Sequence, residues 1–326
     1  MAFNMLFCSI GFLLLYYGAE WLVKGSASLA KSLGVTPIVI GLTVVAFGTS
    51  APELVVSVVS SIQNKSMIAV GNVVGSNICN ISLILGLSAV FQPITSNRSV
   101  IKRDIPIMLF ISLYLLVLTL DSTIGRIEGA TLFAGIILYT FFNYYMSSKE
   151  TMQSSGADAS SLGAEVEDIG YVSSRYKQIL FIIMGIAGVV VGAKLVVDSA
   201  VKIMVVLGVS EKFIGLTIVA FGTSLPELAT SVVAALRKQM DISIGNLVGS
   251  NVFNIMSVIG VASLVRPIPI PGGFIESGLV IDYTVMIFTS FLPLVMMRKT
   301  STITRKDGCI LLACYAGYMV YLILKS

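Results

Sequence analysis

The chain has 326 residues, 56% of them hydrophobic and 12% charged, with a formal net charge of +4 and a mean hydropathy of +0.94. Soluble domains carry roughly 25% charged residues, so the composition excludes an ordinary soluble protein and indicates an integral membrane protein. The positive charge is small and dispersed, which offers no nucleic-acid face, and the absence of His removes zinc sites and His-based acid–base catalysis.

A membrane helix takes roughly 20 mostly apolar residues. The first such stretch lies near 3–31. It lacks a basic n-region and an A-x-A cleavage site, so it reads as a retained helix rather than a signal peptide. Further stretches follow near 36–63, 67–90, 103–120 and 124–147. Ser147 to Lys177 is then rich in Ser, Gly and acidic residues and reads as a loop. Five more apolar stretches lie near 176–206, 210–236, 241–265, 276–297 and 306–325. The expected fold is an all-α integral membrane protein of about ten transmembrane helices. Cys8, Cys79, Cys309 and Cys314 are scattered in or near apolar segments and read as free thiols.

The two halves are repeats. "AFGTSAPEL" at Ala46–Leu54 returns as "AFGTSLPEL" at Ala220–Leu228, 174 positions on. The same offset aligns 18–35 with 192–209 and "GNVVGSNICNI" (71–81) with "GNLVGSNVFNI" (245–255). Residues 1–147 form a first five-helix repeat, 148–175 a connecting loop, and 176–326 a second five-helix repeat. An odd number of spans per half makes the second half enter from the opposite side, an inverted-topology repeat of the kind found in secondary transporters. Cytoplasmic connections favour Lys and Arg. With both termini outside, the inner connections hold thirteen, including Arg98, Lys102, Arg103, Arg298, Lys299, Arg305 and Lys306. The outer ones hold six: Lys65, Arg126, Lys202, Lys212, Arg266 and Lys325. That orientation makes loop 148–175 cytoplasmic.

Gly48 and Pro52 weaken an apolar helix. A broken helix in lipid is tolerated only where protein or a cavity satisfies its carbonyls, and free carbonyls are cation ligands. Ser50 to Glu53 fits the S-x-x-E capping box, with Pro52 in the first turn. The backbone is therefore expected to unwind near Thr49 and restart near Pro52, with Glu53 deep in the membrane. One copy alone would be compatible with a capped kink. Two copies in an inverted repeat point to an ion or proton path, because intramembrane carboxylates are costly.

In "GNVVGSNICN" the glycines at 71 and 75 have the spacing that lets helices approach closely, and Asn77 reads as packing glue. Ser76 and Asn80 are four apart and share a face that can turn towards Glu53; Ser250 and Asn254 can do the same towards Glu227. Two carboxylates with hydroxyl, amide and carbonyl oxygens, and no sulfur or imidazole, suit a hard cation such as Ca²⁺ or Na⁺. Glu20 and Asp282 have no partner evident in the sequence.

The repeated G-T-S-x-P-E-L and G-N-x-V-G-S-N-x-x-N motifs resemble the α-repeats of the Ca²⁺/cation antiporter superfamily, and within it the sodium/calcium exchangers, in the form of a prokaryotic member. The resemblance spans essentially the whole chain apart from the loop. It implies four cation sites among the second, third, seventh and eighth helices, with Glu53 and Glu227 as shared central carboxylates. Oxygens of Ala46, Thr49, Ala220 and Thr223 would complete them. Ser76 and Ser250 would serve outlying Na⁺ positions, Asn80 and Asn254 would lie near the middle, and Ser50 and Ser224 would support them. The first and sixth helices would slide against the other eight. Potassium-dependent exchangers carry Asp where this chain has Asn254, which argues against K⁺ as a co-substrate. Calcium/proton exchangers carry a G-N-x-x-E carboxylate that this chain lacks.

The expectation is a Na⁺/Ca²⁺ antiporter working by alternating access and extruding Ca²⁺, and not an enzyme. No phosphate-binding loop and no nucleophile–base pair stands out. No cofactor is expected; Ca²⁺ and Na⁺ are substrates and the lipid bilayer is the surroundings. The alternative is Ca²⁺/H⁺ exchange with Glu53 and Glu227 as proton carriers. A channel lined by glutamates is a further reading, and its flux would not couple two ions.

Overall fold

The computed structural model describes residues 2–153, 171–207 and 220–325. Most of the expected loop 148–175 and the first ten residues of the stretch 210–236 lie outside the described residues. In chain order the helices are α1 (Ala2–Leu33), α2 (Pro37–Thr49), α3 (Ala51–Ile62), α4 (Ser66–Phe91), α5 (Ile105–Thr119), α6 (Arg126–Gln153) and α7 (Arg175–Val206). They continue with α8 (Ala220–Gly222), α9 (Leu225–Leu236), α10 (Met240–Val265), α11 (Gly273–Glu276), α12 (Leu279–Thr300) and α13 (Arg305–Lys325). Among the described residues, helix is present in each of the ten predicted stretches. Six helices among the described residues (α1, α4, α7, α10, α12 and α13) are long and apolar enough to cross a membrane, and α2 with α3 passes the same test as one broken span. The chain is an all-α, multi-pass membrane protein.

Local chemistry explains the boundaries. Gly34, at φ +65°, closes α1: Val35 N–H reaches back to the Ala30 carbonyl at 3.1 Å, the bond that ends a helix through a left-handed residue. Pro37 then starts α2 behind an extended Thr36. Asn64 and Lys238, repeat mates, both turn left-handed after α3 and α9 (φ 62° and 58°). Lys65 and Gln239 N–H groups return to Ser60 and Ala234 carbonyls at 2.8 Å each. Inside α4 and α10 the helix widens to π geometry at Cys79–Leu85 and Asn254–Ile259. Such widening inside α-helices is frequent at functional sites.

The chain forms two compact units, Met1–Ser50 with Asn143–Asn246, and Ala51–Phe142 with Leu247–Ser326. They are not the sequence repeats. Each draws on both halves, and two of the three divisions, after Ser50 and after Asn246, fall inside the repeated motifs.

In the first unit α1 lies against α7. Gly11, Gly18 and Gly25 recur every seven residues along α1. A Cβ at Gly18 would stand 2.7 Å from the Val189 nitrogen, and one at Gly185 2.6 Å from the Leu22 nitrogen. Backbone meets backbone along this seam, which only glycine permits. Leu22, Val23, Ala27 and Ala30 of α1 share a core with Val189 and Ala193 of α7 and Val233 and Ala234 of α9. Glu20 of α1 finds its partner here, pairing with Arg237 at 2.6 Å.

In the second unit, two-residue ribbons tie helix ends together. Ile94–Thr95 pairs with Thr302–Ile303, and Thr123–Ile124 with Ile268–Pro269. Asp282 of α12 accepts a hydrogen bond from the Tyr318 hydroxyl of α13 at 3.0 Å. The packing role expected of Gly71 and Gly75 fails, since a Cβ at either would meet nothing within 4 Å. Their neighbourhood is open, so no close helix approach depends on them. The repeat mate Gly245, in the first unit, does make such a contact: its Cβ would lie 2.8 Å from the Ile38 carbonyl oxygen and 3.2 Å from the Gly41 Cα.

Candidate ion-binding site

The first unit carries one half of the expected ligand set. The helix ends at Thr49, and Ser50 leaves helical geometry (φ −83°, ψ 6°). Its repeat mate Ser224 does the same (φ −91°, ψ 6°) before α9 begins with Pro226 in the first turn. Glu227 is fully buried at the third position of α9. The Ser50 hydroxyl donates to Glu227 Oε1 at 3.0 Å. The capping box expected from S-x-x-E does not form in the second repeat. Ser224 makes no side-chain cap to α9, and Ser50 spends its proton on the carboxylate of the other repeat. A carboxylate buried at 0% exposure is stabilised by such a donor.

Around this contact, Thr49 Oγ1 lies 3.1 Å from both the Val45 carbonyl and Asn246 Oδ1. Asn246 Nδ2 donates to Ser231 Oγ at 2.9 Å. The Ala46 carbonyl receives the Ser50 N–H at 3.0 Å and lies 3.4 Å from Thr49 Oγ1. Ala220 opens the short helix α8. Thr223 Oγ1 is buried and has no hydrogen-bond partner.

The second unit carries the other half. Glu53 sits fully buried at the third position of α3. Ser76 Oγ is 3.5 Å from Glu53 Oε1, a long and weak contact. Asn72 Nδ2 reaches the Glu53 carbonyl at 3.2 Å and Ser57 Oγ at 2.9 Å. Asn80 and Asn254 are buried, and each donates its amide nitrogen to a neighbouring asparagine. Their Oδ1 atoms have no partner, and neither has Ser250 Oγ. Leaving a buried polar atom unsatisfied costs about 1–3 kcal/mol. Thr223 in the first unit, and Ser250, Asn80 and Asn254 in the second, each leave an oxygen in that condition, and such neutral oxygens are ligands that hard cations accept. Among the described residues no three His, Cys, Asp or Glu side chains gather.

Every expected site residue thus lies at a helix break or at the π turn of α4 or α10, or within a turn of one. Four asparagines and two serines that carry this arrangement were not expected as site residues: Asn72, Asn246, Asn77, Asn251, Ser57 and Ser231. Their signal was present. Asn72 and Asn246 follow the first glycine of each second motif, and Ser57 and Ser231 lie one turn beyond each glutamate.

The family profile described as "Sodium/calcium exchanger protein" matches residues 3–145 and 177–324. The sodium/calcium exchanger MaX1 of Methanosarcina acetivorans is 33% identical over 347 aligned positions, covering 98% of each chain. The inner membrane protein YrbG of Escherichia coli is 34% identical over 316, covering 96% of this chain and 94% of its own. Among solved structures, the sodium-calcium exchanger NCX_Mj soaked with Na⁺ and Ca²⁺ superposes with a TM-score of 0.82 at 34% identity, covering 98% of both chains.

Proposed function

Since the chain belongs to the sodium/calcium exchanger protein family, we propose that it exchanges Na⁺ for Ca²⁺ across the membrane by alternating access. The observation that carries this reading is that each repeat holds a fully buried glutamate and buried hydroxyl or amide oxygens without a partner. Glu53 and Glu227 supply the charge, which matches one Ca²⁺ or two Na⁺. Ala46, Thr49, Ala220, Thr223, Ser76, Ser250, Asn80 and Asn254 supply neutral oxygens, with Ser50 and Ser224 as supports. Hard cations take this kind of ligand set. The named relatives MaX1 and NCX_Mj are sodium/calcium exchangers, and that supports the same ions here. The ions are cargo, and the chain needs no resident cofactor. The Na⁺ gradient drives Ca²⁺ outwards, the termini face outside, and the segment 148–175 faces the cytoplasm.

Liposomes loaded with Na⁺ and diluted into Na⁺-free buffer test the proposal through radiolabelled Ca²⁺ entry. Uptake is expected to require the outward Na⁺ gradient, to survive a proton ionophore, and to vanish in Glu53→Gln and Glu227→Gln proteins that purify as wild type does. Uptake driven equally by a pH gradient without Na⁺ would replace this reading with proton-coupled exchange at the same glutamates.

A further inference from the structure

Four buried asparagines of the second unit form a closed pattern. Asn77 Nδ2 donates to the Asn251 backbone carbonyl at 3.3 Å, and Asn251 Nδ2 donates to the Asn77 backbone carbonyl at 3.3 Å. The remaining neighbours of these two amide nitrogens are thioethers, Met286 Sδ at 3.8 Å and Met108 Sδ at 3.6 Å. Carbonyls and thioethers accept and cannot donate. Neither Asn77 nor Asn251 can therefore turn its amide over without facing oxygen to oxygen and oxygen to sulfur. Both are fully buried, so water cannot repair such a turn.

The orientation passes on. With its nitrogen committed, Asn77 presents Oδ1 to Asn254 Nδ2 at 3.1 Å. Asn251 likewise presents Oδ1 to Asn80 Nδ2 at 3.0 Å. Asn254 and Asn80 must meet an acceptor with their nitrogen ends, so their Oδ1 atoms point the other way. Those are the oxygens left without a partner. An amide in the opposite rotamer would offer a cation two N–H groups instead of an oxygen.

We propose that Asn77 and Asn251 are positioning residues that hold the amides of Asn254 and Asn80 with their oxygens turned to the transported cation. The inference rests on the reading of Asn80 and Asn254 as cation ligands. It adds why two neutral asparagines, whose amide ends are nearly alike in shape, present oxygen at all. Each repeat orients the ligand of the other.

The test compares half-saturating Ca²⁺ for uptake into liposomes, and the Ca²⁺-induced rise in melting temperature, across variants. Outer groups that orient a metal ligand are typically worth about 10- to 100-fold in metal affinity, and Asn77→Ala is expected to lose that much. Asn254→Asp presents an oxygen on either branch of its carboxylate and needs no orientation. In that background Asn77→Ala is therefore expected to cost less than about threefold, since the 10- to 100-fold effect acts only through the amide. Asn251→Ala and Asn80→Asp form the mirror pair. Asn77→Ser separates positioning from packing: its hydroxyl can still donate to the Asn251 carbonyl but offers Asn254 no fixed acceptor, so the loss should persist. Equal losses in both backgrounds, or wild-type affinity in Asn77→Ser, would overturn the inference while leaving the ligand assignment standing. Wild-type Ca²⁺ affinity in Asn254→Ala would instead remove Asn254 from the ligand set, and the positioning role with it.

Discussion

Ser50 shows what a single hydroxyl decides. It stands at the helix break of the first repeat, yet its proton goes to Glu227 of the second at 3.0 Å. A hydrogen bond to a charged group is worth about 1.5–3 kcal/mol. Ser50→Ala is therefore expected to raise half-saturating Ca²⁺ by about tenfold or more, read by radiolabelled uptake at graded Ca²⁺. An unchanged constant would show that the contact does no more than fill space. The Glu20–Arg237 pair is a different case. Its side chains are 22% and 45% exposed, and exposed ion pairs contribute about 0–1 kcal/mol. Its removal should leave transport and melting nearly as they are.

At the scale of elements, the glycines divide by what surrounds them. On α1 they permit backbone contact with α7, and Gly18 has no room for a side chain because the Val189 nitrogen would be 2.7 Å from its Cβ. Gly18→Leu is expected to prevent recovery of monodisperse protein. Gly71→Ala meets open space and should purify and melt like wild type. Size-exclusion profiles and melting curves of the two variants side by side check this; a well-folded Gly18→Leu protein would refute the tight seam. The π turns at Cys79–Leu85 and Asn254–Ile259 belong to the same scale. They begin beside Asn80 and at Asn254, where the asparagine pattern needs its amides.

For the whole molecule, the repeats and the compact units describe different things. The repeats record the order of the chain, while the units group helices that pack together. Each unit takes helices from both repeats, and each holds one of the two glutamates. Orientation in the membrane also belongs here. The Lys and Arg excess predicts that protease cleaves between Lys149 and Arg175 only when it reaches the cytoplasmic face. Inside-out vesicles should yield two fragments and right-side-out vesicles intact chain; the reverse would invert the topology.

The membrane class, the repeat and the two intramembrane glutamates are legible along the chain. These follow from hydropathy, from a fixed offset and from the cost of a carboxylate in lipid, all properties of the chain read along its length. The sequence placed Thr223, Ser250, Asn80 and Asn254 in the candidate set, and the structure leaves an oxygen of each unsatisfied. It misread Gly71 with Gly75 as a packing seam, because local spacing names the possible neighbours and not the ones a residue meets. That Ser50 donates to Glu227, that Glu20 meets Arg237, and that Asn77 and Asn251 face each other's carbonyls comes from the packing of the helices. Those contacts join residues more than 170 positions apart, and a hydrogen bond with a reach of about 3 Å is set by which helices lie side by side.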